Sequence, residues 1–246
     1  MPYSLVHTPP HPLPSAAHTQ RLLESFSRPP GKTCLFYGDS VLFQLSLTMA
    51  SYALANGSAI AVVDGGNEFN VHLIARFARQ RRLNADALLE RIFISRGFTC
   101  YQMEQAIVHK LPEFLRTINA RTAMIFGLLE TFYDDQATFR EVQQILGRVL
   151  EALRAMKQEG VSVLVACLKR NVLPAERNQL FTTLAAGVDS VYRIAVGEDH
   201  QPILYLEKGD DRGTHRSNLH QHHRSGAIEL VEVPPRTAQR GSRIIR

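Results

Sequence analysis

The chain has 246 residues, 45% hydrophobic and 21% charged, with a formal net charge of +5. That composition predicts one globular domain with short tails, and the modest basic surplus permits nucleic-acid or acidic partners without requiring them. No apolar run reaches transmembrane length and no signal-peptide pattern opens the chain, so no membrane partner is expected and a cytoplasmic or nucleoid/nuclear location is predicted.

Residues 1–18, rich in Pro and His, read as a flexible arm, and the domain proper is expected over 19–233. The tripeptide Gly31-Lys32-Thr33 copies the end of a phosphate-binding loop. Such a loop needs a strand before it and a helix after it. Here Leu22 to Phe26 reads as helix and Cys34 to Tyr37 as strand, so the tripeptide reads as the turn into the first strand.

Thr33 to Ala55 (TCLFYGDSVLFQLSLTMASYALA) is the stretch around which the chain is organised. It predicts a buried strand, a Gly38-Asp39-Ser40 turn and an apolar helix. A working phosphate loop, G-x-x-x-x-G-K-[ST], holds phosphates with backbone N–H groups, a lysine and a metal-binding hydroxyl. After Gly38 the sequence supplies Asp39, Ser40, Val41, Leu42 and Phe43. The turn is too short, Asp39 repels phosphate, and apolar residues stand where the chemistry belongs. Asp39 or Ser40 reads as a helix N-cap.

Ser58 to Asp64 reads as a second buried strand. Its end, Asp64-Gly65-Gly66-Asn67-Glu68-Phe69, forms a loop at a carboxyl-terminal strand edge, where ligand sites of α/β proteins gather. Val71 to Arg82 is an amphipathic helix with Arg76, Arg79, Arg81 and Arg82 in its later half. That crowding reads as a solvated face favoured by the helix dipole, with a nucleic-acid patch as the minor reading. A short helix at 85–90 and a strand at 92–95 follow, then a helix at 101–118 that Pro112 bends. Ala123 to Phe126 is a strand closed by Gly127. Phe139 to Met156 is a long helix ended by Gly160, and Val161 to Leu168 is the central strand. Ser190 to Val196, Ile203 to Lys208 and Ile228 to Val233 read as antiparallel edge strands. Residues 209–226 read as a mobile loop. Its cluster His215, His220, His222 and His223 lacks a fixed ligand geometry, so no metal and no cofactor is expected. Residues 234–246 form a basic tail. Cys34, Cys100 and Cys167 read as reduced core thiols.

The order of four stretches resembles the ATPase core of the RecA/RadA recombinase family, nearer the archaeal and eukaryotic RadA branch. They are Pro29 to Gly38 with Gln44-Leu45, Ala61 to Leu83, Ile94 to Gln102 (ISRGFTCYQ), and Ala123 to Asp135 (AMIFGLLETFYDD). The resemblance spans about residues 20 to 210 as a domain-size estimate. It implies a RecA-like three-layer α/β fold, with a mostly parallel central sheet, helices on both faces and antiparallel strands at the C-terminal edge.

The departures fall at the chemistry. The positions of the loop lysine and hydroxyl align with Leu42 and Phe43, that of the water-activating glutamate with Gly66, and that of the Walker B aspartate with Gly127. A vestigial nucleotide site of Gly38, Asp39, Ser40, Asp64, Gly66 and Gly127 is implied, with no catalytic residue. The family's DNA-binding loops fall near Tyr133 to Thr138 and Lys169 to Phe181. In the first, Asp134-Asp135 opposes phosphate. In the second, Lys169, Arg170 and Arg177 are candidate DNA contacts. The expectation is therefore a non-catalytic accessory in DNA recombination or repair. Its expected partners are a RecA/RadA-type recombinase or another repair protein, and single-stranded DNA. The alternatives are an atypical nucleotide-binding ATPase using the loop that ends in Glu68, or a scaffold that makes no DNA contact.

Overall fold

A computed structural model describes residues 30–197, 202–209 and 227–229, together with Phe26. The readings made above of the arm at 1–18, of the helix at 22–26 before its last residue, of the histidine cluster and of the basic tail lie outside those residues. So does the 209–226 loop after its first residue.

Among the described residues, eight strands form one sheet: β1 (Thr33–Gly38), β2 (Ile60–Asp64), β3 (Ile92–Arg96), β4 (Thr122–Phe126), β5 (Ser162–Leu168), β6 (Ser190–Val196), β7 (Pro202–Lys208) and β8 (Ala227–Glu229). Their spatial order is β3-β2-β4-β5-β1-β6-β7-β8. All pairs from β3 to β6 are parallel; β6–β7 and β7–β8 are antiparallel. β2 and β4 are buried along their whole length, and β1 and β5 are buried except at their last residue, as expected for strands covered on both faces.

Two apolar layers cover the sheet. One face carries α1 (Val41–Ala55), α2 (Val71–Gln80) and α3 (Ala85–Leu89), packed through residues such as Leu42, Ile74 and Leu88 on Phe36, Val62 and Phe126. The other carries α4 (Cys100–Glu104), a π-helical turn (Gln105–Lys110), α5 (Leu111–Thr117), α6 (Leu128–Phe132), α7 (Phe139–Gln158) and α8 (Gln179–Gly187). The chain is thus a three-layer α/β structure with a mostly parallel sheet.

Local chemistry sets the boundaries. Asn70, Asn84 and Thr99 accept backbone N–H bonds at the starts of α2, α3 and α4. Thr138 and Glu141 close a reciprocal capping box at the start of α7. The single helix expected over 101–118 is interrupted by the π-helical turn before Pro112, which occupies the opening turn of α5.

One pairing departs from the sequence expectation. Ser190 to Val196 pairs in parallel with β1, and the antiparallel part starts only at β7. The connections explain this. β5 reaches β6 through α8, long enough for a crossover, whereas the short link from β6 to β7 allows only a hairpin. The three cysteines are buried and free, and burial pushes the Cys34 thiol up to about 12. Among the described residues no helix is long and apolar enough to cross a membrane.

Candidate functional site

The carboxyl ends of β1, β2, β4 and β5 gather the turns singled out in the sequence. After β1, Gly38 has φ +128°, and a Cβ there would lie 2.0 Å from the Ile194 carbonyl oxygen of β6. Only glycine fits that approach. Asp39 then donates its N–H to the same carbonyl, and its carboxylate accepts the Val196 N–H at 2.9 Å. Ser40 stands at the N-cap position of α1 without a side-chain cap bond. The expected N-cap is therefore corrected: Asp39 clamps the end of β6, because the β1 turn lies against that strand. Leu42 is fully buried and Phe43 nearly so, packed in the α1 layer.

Asp64, at the end of β2, is completely buried. Its two carboxylate oxygens accept the N–H groups of Glu68 and Phe69, at 3.0 and 3.1 Å. The carboxylate holds the 65–69 loop closed. Gly65 donates to Phe126 at 2.8 Å, and Gly127 donates to Ala166 at 3.0 Å. Gly127 is left-handed (φ +63°), and a Cβ on it would lie 2.4 Å from the Gly66 nitrogen. The backbones of Gly66 and Gly127 are in direct contact, which leaves no room for a side chain from Gly127.

A polar cluster that the sequence reading did not assemble lies above these strands. Glu130, on α6, accepts the Leu168 N–H at 3.0 Å through Oε1, while its buried Oε2 has no partner among the described residues. Burial raises its carboxyl above the ordinary glutamate value, against the field of Arg170. Glu68 is raised too, first by desolvation and then by Asp64, with Arg170 opposing. The Tyr133 hydroxyl is buried, has no partner among the described residues, and is pushed well up, mainly by desolvation. The charge of Arg170 opposes the upward shift of all three groups. Glu68 was visible in its loop, whereas Glu130 was not singled out and Tyr133 was read only as the start of the 133–138 loop. Their spacing from Gly127 carries no signal until α6 turns them toward the end of β5.

The three candidate DNA contacts separate. Lys169 is exposed, its ammonium lying 4.9 Å from the centre of the Phe181 ring and 5.4 Å from that of Tyr37. Arg170 is exposed, and its charge opposes the upward shifts of Glu68 and Glu130. Arg177 is only 4% exposed. Its guanidinium donates to the carbonyls of Phe132 and Ala137, tying the 132–137 segment to the loop after β5. Its assignment as a DNA contact is therefore corrected. A buried fork bound to backbone carbonyls has no face left for phosphate. In the 133–138 loop, Asp134 accepts the Gln136 N–H, so one of the two acids serves the turn itself.

A cavity of about 150 Å³ lies at the opposite edge of the sheet, lined by Leu115, Arg116, Asn119 and Met156 among others. It is well below the 300–1,000 Å³ usual for a cofactor pocket. Among the described residues, no three His, Cys, Asp or Glu side chains converge as metal ligands. No model of a known protein family matches the chain, and no curated protein matches it.

Proposed function

We propose that this chain is a non-catalytic RecA/RadA-like protein, an accessory in DNA recombination or repair that acts through protein and DNA contacts. The observation that carries the reading is the contact between Gly66 and Gly127. These are the positions where the resemblance calls for the water-activating glutamate and the metal-binding aspartate. Phosphoryl transfer depends on positioned charge, supplied by a lysine, a metal and a base. The Gly66 backbone leaves no room for a carboxylate side chain at 127, and position 66 supplies no side chain at all. The consumption of Asp39 and Asp64 by internal N–H groups supports the same reading.

The decisive experiment is magnesium-dependent ATP hydrolysis by the pure chain, with nucleotide-induced thermal shift beside it. The expected result is no turnover and no shift; sustained turnover overturns the proposal. The DNA part is tested separately by single-stranded DNA binding at two salt concentrations, comparing the parent with Lys169→Ala and Arg170→Ala. Binding that these substitutions leave unchanged removes the loop after β5 from the proposal.

A second reading, an atypical nucleotide-binding ATPase of the same class, draws on Glu68 and Glu130, two carboxyls with raised protonation beside Arg170. Nucleotide binding lost in Glu68→Ala would favour it. Equal absence of binding in both forms would dismiss it.

A further inference from the structure

Helices α1, α2, α5 and α7 all end in the same hydrogen-bond pattern, one N–H returning to a carbonyl five residues back and the preceding N–H to one three back. The left-handed residue in that motif is Gly57 after α1 (φ 92°), Asn119 after α5 (φ 50°) and Gly160 after α7 (φ 83°). These are the residue types that tolerate the conformation. After α2 the same place is held by Arg82, at φ 56°. Arg82 donates to Arg79 and Leu83 to Ala78, at 3.1 and 2.9 Å, so the motif is complete despite the unfavourable residue.

Arg82 is exposed, and so are Arg76 and Arg79, six and three residues earlier. None of the three side chains has a hydrogen bond or ion pair with a described residue. Arg81 behaves differently. Its guanidinium stacks on Tyr52 and Phe77, 4.8 and 4.5 Å from their ring centres, and donates to the Tyr52 hydroxyl at 2.5 Å. That contact fastens the end of α2 to α1 and makes a rigid platform for its neighbours. The helix dipole accounts for a cation in the last turn, where Arg79 lies; its effect fades beyond that turn and does not reach Arg76. Residues 71–91 contain five arginines against Asp86 and Glu90, a surplus of three in a chain whose net charge is +5.

We infer that Arg76, Arg79 and Arg82 form a binding surface for the phosphate backbone of duplex DNA. Guanidinium groups suit phosphate because their N–H groups form a planar fork. Binding to single strands relies on open aromatic faces on which bases stack. Here Tyr52 and Phe77 are covered by Arg81, so the surface offers charge without a stacking platform. The site is separate from the loop after β5 and does not depend on the nucleotide-site reading.

The test uses the full chain and fluorescence anisotropy with a labelled mixed-sequence 30-base-pair duplex, the matching single strand, and vesicles containing anionic lipid. Three phosphate contacts give a log–log salt slope of roughly −2.7, or about a 40-fold loss of affinity between 50 and 200 mM salt. The variant Arg76→Gln/Arg79→Gln/Arg82→Gln is expected to bind duplex at least tenfold more weakly at 50 mM, with a slope near zero. Arg82→Gly alone is expected to melt at a higher temperature than the parent while the slope falls by about one unit. That combination separates lost contact from lost fold. Lys169→Ala/Arg170→Ala is expected to leave the duplex slope unchanged. The inference is overturned by no duplex binding at 50 mM, by equal duplex binding of the triple variant, or by arginine-dependent capture on vesicles in place of duplex.

Discussion

The two edges of the sheet use charge in opposite ways. At the carboxyl edge, Asp39, Asp64, Glu130 and Arg177 all bond to backbone groups of neighbouring segments. Charge there is structural mortar. Toward the amino edge, at the end of α2, Arg76, Arg79 and Arg82 project from a helix that needs none of them for packing. A charged residue in a loop is therefore weak evidence of a ligand, and its free valence matters more than its type. Arg177, in the short 3-10 turn at Ala175–Asn178, and Arg82, just past the end of α2, illustrate the difference: one is buried between two carbonyls and the other exposed in a strained conformation.

The sharpest way to break this contrast is Gly127→Asp, which restores a carboxylate where the resemblance wants one. The added Cβ meets the Gly66 nitrogen and must also adopt a left-handed backbone. A loss of about 4 kcal/mol in urea unfolding is expected, with no gain of magnesium binding by calorimetry. A well-folded variant that binds magnesium would mean the carboxyl edge is open after all.

Next in size is Arg177→Met, which leaves the Phe132 and Ala137 carbonyls without their donor. Chemical denaturation should report a loss of about 2–3 kcal/mol, with unchanged salt dependence of DNA binding. A change in that slope at full stability would return Arg177 to the surface.

Glu130→Gln probes the same edge through pH. Its folded carboxyl favours the protonated form, so its stabilising contribution is complete below the ordinary glutamate range and is lost as pH rises through the raised value. The glutamine keeps an acceptor for Leu168 and cannot ionise. Thermal melts from pH 4 to 8 should show the variant and parent converging at the acid end. At pH 8 the variant should be more stable by about 1 kcal/mol, the low end of the cost of a buried unsatisfied group. A gap of constant size across that range would contradict the assigned environment.

The smallest effect belongs to the other side of the comparison. Arg76→Gln should leave stability within about 0.5 kcal/mol by urea unfolding, because the side chain is exposed and unpaired. A loss of 2 kcal/mol would show that Arg76 is mortar as well.

Much of the architecture was legible in advance. Apolar runs and amphipathic stretches located β1 to β5 and the helices between them except α6, because burial on both faces leaves a continuous hydrophobic signature in a parallel strand. Gly160 marked the end of α7 through short-range bonding that needs no tertiary partner, while the Thr138–Glu141 capping box at its start was not read from the sequence. The antiparallel pairing of β6 with β7 was read correctly, but its parallel pairing with β1 was not, since an alternating pattern is shared by both kinds of neighbour and only the helical crossover through α8 distinguishes them. Glu130 and Tyr133 escaped notice because their cluster is assembled from α6, the loop after β2 and the end of β5.

By itself, the order of residues determined the layered α/β plan and the absence of a phosphate-loop lysine and hydroxyl after Gly38. Both follow from interactions within a few positions along the chain: periodicity, capping, and the identity of the residues at 39–43. Only the tertiary structure decided that Gly66 and Gly127 touch, that Arg177 turns inward, and that Arg82 holds a place given to glycine or asparagine elsewhere. Those facts depend on which distant backbone lies within a few ångströms, and hydrophobic pattern carries no record of such approaches.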